Sequence, residues 1–180
     1  SMVIRENINL LKGISGANNR PEVSVAMIAY NVDKYLAEAI ESVVSQKTNF
    51  SFELVIGEDC STDKTRELAL DYQEKYPEII RVLLPKVNQG LTPNSVATQN
   101  SCKGKYIALL DGDDYWTDDN KLQMQYDFLE KNLEFSASAH QSKIIYDDVS
   151  GKDALFGSEK NEIFTIKDTI QHRKFHTSSL

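Results

Sequence analysis

Short apolar runs alternate with longer amphipathic stretches through the middle of the chain, and this alternation predicts its elements. Val23-Ser24-Val25-Ala26-Met27-Ile28-Ala29 predicts a buried strand, and Tyr35, Leu36, Ala39, Ile40, Val43 and Val44 follow at helical spacing. Phe52-Glu53-Leu54-Val55-Ile56-Gly57 predicts a second strand. Ser61-Thr62-Asp63 then offers capping oxygens to a helix over Thr65–Tyr76, which Pro77 closes. Ile79–Leu84 predicts a third strand and Asn88–Gly90 a loop. A helix over Asn94–Cys102 follows, with Pro93 at or just before its first turn and Gly104 ending it. Tyr106-Ile107-Ala108-Leu109-Leu110 predicts a fourth strand, and a helix runs from about Asp118 to Asn132.

Strands flanked by helices in strict alternation imply parallel β-α-β units with right-handed crossovers. The expected class is therefore α/β, a Rossmann-like, doubly wound, mostly parallel sheet with flanking helices. Such a sheet binds ligands beyond the carboxyl ends of its strands. Ahead of this region, Ile4–Lys12 has the pattern of a short amphipathic helix and 13–20 is rich in Gly, Ser and Asn. Residues 1–20 are accordingly read as an arm and linker, and 21–180 as one domain. Toward the other end Ser136–Tyr146 and Glu162–Ile166 suggest strands and Lys167–Gln171 a short helix.

Composition narrows the function classes. With 180 residues, 41% hydrophobic and 26% charged, the chain suits one globular domain, and no apolar run nears the roughly 20 residues of a membrane span. A net charge of -7 argues against nucleic acid as the main partner, although a divalent cation could still bridge an acidic surface to a small diphosphate. Cys60 and Cys102 are too few for a disulfide framework, which favours a reducing compartment, and the N-terminal residues lack a signal-peptide pattern.

The chemistry gathers at the strand ends. The first strand delivers Tyr30-Asn31, the second Glu58-Asp59, and the fourth Asp111, Asp113 and Asp114. Three carboxylates within four residues repel one another unless a cation neutralises them, and Mg²⁺ or Mn²⁺ takes such oxygen ligands together with substrate phosphates. The competing reading is an exposed acidic turn capping the next helix; Gly112 would let the backbone turn tightly in either case. Asp59 either favours the positive end of the following helix or, with Ser61, Thr62 and Asp63 nearer to that end, accepts a hydrogen bond from a ligand such as a pyrimidine N–H. Tyr30 either stacks on a base or packs beneath its loop.

Taken together, 23–31, Glu58-Asp59-Cys60-Ser61-Thr62-Asp63, Asn88-Gln89-Gly90 and 104–114 resemble the successive signatures of family-2 glycosyltransferases with the GT-A fold. Order and spacing match from about Pro21 to Asn132. The continuation Tyr115-Trp116-Thr117-Asp118 and Lys121-Leu122-Gln123 is similar to bacterial cell-surface polysaccharide transferases. The resemblance implies that Tyr30 lies beside the nucleotide base, Asp59 bonds it, Asp111 contacts the ribose or sugar side, and Asp113, supported by Asp114, holds Mn²⁺ or Mg²⁺. Trp116 either lines the sugar pocket or is a buried aromatic at a helix start. Two positions depart from the family pattern: Cys60 stands where a glycine is usual, and Asn94-Ser95-Val96 lacks a common arginine.

The implied reaction transfers a sugar from a nucleotide diphosphate, with UDP expected, to an acceptor hydroxyl with inversion. The acceptor would be a glycan or lipid-linked glycan, at a cytoplasmic location or peripherally at the inner face of the membrane. A carboxylate base must take the acceptor proton. Asp147, Asp148, Asp153, Glu159 and Glu162 are available, but the family's longer chains place the base beyond a point equivalent to Leu180, so the expectation is a truncated, crippled transferase. His172 and His176 form no ligand set. Two other classes stay open: a nucleotide-sugar-binding module without catalysis, and an Mg²⁺-dependent nucleotidyl or phosphoryl transferase. The latter usually needs a glycine-rich phosphate cradle, which the first strand lacks.

Overall fold

The computed structural model describes residues 3–5, 20–145, 154–156 and 162–163. Its centre is a five-stranded sheet in the order β1-β5-β2-β3-β4, built from β1 (Val3–Arg5), β2 (Val23–Ala29), β3 (Phe52–Glu58), β4 (Ile80–Leu83) and β5 (Tyr106–Asp111). The pairs β2/β3, β2/β5 and β3/β4 are parallel. Continuous burial along β2 explains its unbroken apolar sequence: both faces of a parallel sheet are covered.

Helix α1 (Leu36–Val44) buries Leu36, Ala39, Ile40 and Val43, a single stripe at the i, i+3, i+4, i+7 spacing. Each larger side chain in that stripe contributes roughly 1.5–3 kcal/mol by leaving water. Helix α2 (Thr65–Lys75) packs against α1, β3 and β4, and α3 (Leu91–Asn100) against β2 and β3. The chain steps from β2 to β3 to β4, then returns across the sheet to β5. Right-handed crossovers therefore put α1 and α2 on one face and α3 on the other, and make the ends of β2 and β5 the point where the winding reverses. Helix α4 (Lys121–Lys131) follows β5.

Four expectations need correction. Residues 3–5 form a strand, not the start of a helix, and pair antiparallel with β5. They satisfy backbone groups that would otherwise be an open edge. The remaining residues of 4–12 and most of 13–20 lie outside the described residues. Helix α3 begins at Leu91 rather than Asn94, which seats Pro93 within the first turn, where its missing N–H costs nothing. Helix α4 begins at Lys121 rather than about Asp118, since the Asp118 carboxylate accepts the Asn120 N–H and holds a turn. Within 136–146 only β6 (Ser142–Ile144) is a strand; it pairs antiparallel with β7 (Ala154–Phe156), apart from the main sheet. The strand expected over 162–166 and the helix over 167–171 fall outside the described residues, except Glu162 and Ile163, which belong to no strand.

Candidate active site

Register alone brings the predicted residues together. Ala29 pairs with Glu58 and Ile28 with Asp111, so Tyr30 and Asp59 leave adjacent strands at one level, and Gly112 leaves the third beside them. Backbone bonds continue the alignment beyond the sheet: Asp59 N–H donates to Ala29 O at 3.1 Å, and Gly112 N–H to Ile28 O at 2.9 Å. A Cβ at Gly112 would lie 2.9 Å from that Ile28 oxygen and 3.2 Å from Val32 Cγ2. The glycine is thus needed for close approach to β2.

The loops after β2 and β3 are laced together. Asn31, in the left-handed region at φ 53°, donates its N–H to Ser61 Oγ (3.0 Å), and its side-chain oxygen accepts the Thr62 N–H (2.8 Å). Val32 N–H donates to Thr65 Oγ1 at 2.8 Å, and Asp63 accepts from both Asp33 N–H and Thr65 N–H. Glu58 is fully buried and pairs with Arg66 at 2.5 Å while accepting the Ser61 N–H at 2.6 Å. Burial alone would raise the Glu58 carboxyl; the Ser61 and Arg66 contacts outweigh it and hold the group below its ordinary range. Cys60 takes φ 58°, the conformation in which glycine is unstrained, and its thiol donates to Pro85 O. Cys60 therefore holds the left-handed conformation that a glycine would take without strain.

Asp59 is 2% exposed. Its two carboxylate oxygens accept the N–H groups of Gln89 (2.7 Å) and Gly90 (2.8 Å), and its backbone oxygen accepts from Asn88 Nδ2 (2.8 Å). Gly90 is the N-cap of α3, so the carboxylate sits at the positive end of that helix. Sequence reasoning left Asp59 uncommitted within the protein. Instead it anchors the Asn88–Gly90 loop, with a second lone pair on each oxygen available to a ligand.

A cleft of about 750 Å³ opens over these strand ends, lined by Tyr30, Asp59, Gly90, Ser95, Asp111 and Asp113 among others. Tyr30 is 49% exposed in its wall, which excludes the alternative that it packs beneath its loop. One carboxylate oxygen from each of Asp111, Asp113 and Asp114 lies within 4.8 Å of the others. An octahedral cation with roughly 2.1 Å bonds spaces its ligand oxygens about 3–4 Å apart, so small side-chain rotations suit this trio to Mg²⁺ or Mn²⁺. Asp114 lines a second cavity rather than the cleft.

Asn94 also holds the site, and residue pattern alone gave it no such role. Asn94 is buried and donates to Gly57 O at 2.8 Å, fastening α3 to β3. Trp116 is 6% exposed and packs in the core, as a buried aromatic at a helix start would, while also lining the second cavity. Asp147, Asp148, Asp153, Glu159, His172 and His176 lie outside the described residues; Glu162 is exposed.

A sheet wound in this way, with an Asp-x-Asp loop at the switch point, defines the GT-A class of glycosyltransferase fold. The chain belongs to glycosyl transferase family 2, whose model matches residues 24–177. It is 36% identical over 134 residues to Rv1520, an uncharacterized protein of Mycobacterium tuberculosis, covering 74% of this chain and 38% of that one. TuaG of Bacillus subtilis, provisionally named a teichuronic acid biosynthesis glycosyltransferase, is 36% identical over 124 residues, covering 68% and 48%. Among solved structures, residues 1–349 of S. aureus TarS in complex with UDP superpose with a TM-score of 0.55 at 26% identity, covering 62% of this chain and 33% of that one. The mannosyltransferase PcManGT from Pyrobaculum calidifontis, solved with GDP-Man and Mn²⁺, has the same score at 20% identity, covering 61% and 32%, a likeness of fold. The chain thus spans well under half of the mycobacterial relative and about half of TuaG.

Proposed function

We propose that this chain is the donor-binding part of an inverting glycosyltransferase that uses a UDP-sugar and an acceptor hydroxyl on a glycan or lipid-linked glycan. One observation carries the reading: Tyr30, Asp59, Asp111 and Asp113, from three separate strand ends, line a single cleft. Tyr30 flanks the base, Asp59 accepts its N–H with the lone pairs that Gln89 and Gly90 leave, and Asp111 orients the ribose. Asp113, with Asp114 beside it, would hold Mn²⁺ or Mg²⁺. When bound, the cation neutralises charge developing on the departing diphosphate. The buried floor of the cleft excludes water from the donor and strengthens each of these contacts. A carboxylate base on the acceptor side completes the reaction, and we place it outside the described residues.

The names of TuaG and of GgaB, a minor teichoic acid biosynthesis protein, support a cell-surface polymer as product. No helix among the described residues is long and apolar enough to cross a membrane. Titration calorimetry tests the donor assignment. UDP is expected to bind with Mn²⁺ present, to bind much more weakly with chelator, and to be preferred over GDP; metal-independent binding, or none, would sink it.

A further inference from the structure

The connection from β4 to α3 forms part of the cleft rim, which Asn88 and Gly90 line. Among the described residues, the hydrogen bonds that tie 85–90 to the protein outside α3 come from two adjacent residues of the β3–α2 turn. Cys60 Sγ donates to Pro85 O at 3.1 Å. Asp59 accepts the Gln89 and Gly90 N–H groups on its carboxylate and Asn88 Nδ2 on its backbone oxygen. The placing of this rim therefore depends on how that turn is held.

Arg66 holds the turn on both sides of Asp59. From the first turn of α2 its Nε donates to Glu58 Oε2 at 2.5 Å, and its Nη2 reaches Cys60 Sγ at 3.5 Å. The other Glu58 oxygen accepts the Ser61 N–H, so the turn closes on a fully buried carboxylate. A guanidinium suits this task, because its fork offers several donors in fixed geometry where an ammonium is a single point. Cys60 stands where the family pattern usually has glycine, and its thiol is the link between Arg66 and Pro85 that a glycine would lack. Arg66 itself is not among the residues that line the cleft.

We propose that Arg66 is a positioning residue for base recognition: by bridging Glu58 and Cys60 it aims the Asp59 carboxylate, and the Asn88–Gly90 loop that Asp59 anchors, at a base edge that donates N–H. This deepens the donor reading and rests on it. Uracil donates at N3, whereas cytosine presents a lone pair there and gains nothing from a carboxylate. A misplaced Asp59 weakens the bond to uracil and leaves cytosine nearly unaffected. Lost discrimination between the two bases is therefore the mark of positioning, while damage to packing alone lowers affinity for both.

Calorimetry on the whole chain with Mn²⁺ compares UDP with CDP. Arg66→Ala would leave the buried Glu58 unpaired and endanger folding, so two milder variants are used. Arg66→Lys keeps a cation opposite Glu58 while giving up the second arm, and Cys60→Gly removes the thiol at a φ that suits glycine. Wild type should prefer UDP by about tenfold or more, as one charge-assisted hydrogen bond supports. Each variant should narrow that preference by about threefold or more, through weaker UDP binding with CDP nearly unchanged, while urea unfolding shows both folded. In amide hydrogen exchange, Gln89 and Gly90 should exchange faster in both variants while Val55 and Ile56 of β3 stay protected. Equal binding of UDP and CDP by wild type overturns the proposal, as does a ratio unchanged in both variants or a parallel loss of the two nucleotides. If UDP fails to bind wild type, the donor reading falls, and exchange at Gln89 and Gly90 alone decides whether Arg66 holds the loop.

Discussion

Replacing Asp59 with Asn separates two roles that one side chain fills. In the native protein both carboxylate oxygens accept backbone N–H groups, from Gln89 and Gly90, in a site 2% exposed. The amide keeps one acceptor and turns an NH₂ toward the other N–H. One charge-assisted bond is lost and one buried donor is left unsatisfied, costing about 2–4 kcal/mol. Loss of negative charge at the start of α3 adds a few tenths to about 1 kcal/mol. With a urea slope of roughly 2 kcal/mol/M, the unfolding midpoint should fall by about 1–2.5 M at unchanged slope. Nucleotide affinity should fall as well, because the anchored loop forms part of the cleft. The reasoning is refuted if D59N unfolds within about 0.5 kcal/mol of wild type. Normal stability with lost UDP binding would make Asp59 a ligand contact that leaves the loop unanchored.

Other substitutions read different parts of the site. Asp113→Asn should remove most Mn²⁺-dependent UDP binding while leaving the melting temperature of the metal-free protein near wild type, by calorimetry and thermal melts respectively. Gly57→Ala would place a Cβ 2.0 Å from Thr98 Oγ1 and 2.7 Å from Asn94 Oδ1, both on buried side chains, so α3 must shift; a loss of about 1–3 kcal/mol in urea unfolding is expected. Cys60→Gly should change stability by less than about 1 kcal/mol, since relief at φ 58° offsets the loss of the Pro85 contact. Burial holds Lys121 near 7 against an ordinary 10.5, so between these values the unfolded chain binds more protons and stability rises with pH. K121M should therefore melt higher than wild type near pH 7, with the gap narrowing toward pH 9.5; a constant gap would show that burial does not lower the lysine's pKa.

The strands were legible because a sheet covered on both faces demands continuous apolar runs, and four such runs stood out. Helix α3 was harder to bound. Its buried face carries Asn94 and Thr98, while Leu91 and Val96 are exposed, the reverse of the usual pattern. Strand β1 gave no signal, because three residues gain strand structure only from the edge they cover. The cleft residues were found through register: equal positions past parallel strands end in one place. The Asp59 anchor was invisible, since its partners are backbone groups of a distant loop, which any sequence supplies. Lys121 was invisible for a related reason, as nothing along the chain shows that a lysine at a helix start will be covered by tertiary packing.

The lacing of the loops after β2 and β3 has an evolutionary corollary. Asn31, Ser61, Thr62, Asp63 and Thr65 bond almost entirely to main-chain atoms across the two loops, so one wall of the cleft is fixed by bonds within the chain itself. The second cavity leans on a small hairpin outside the main sheet. Mutations in that hairpin can reshape the second cavity without disturbing the laced loops. A lineage built this way can change one pocket while keeping the other.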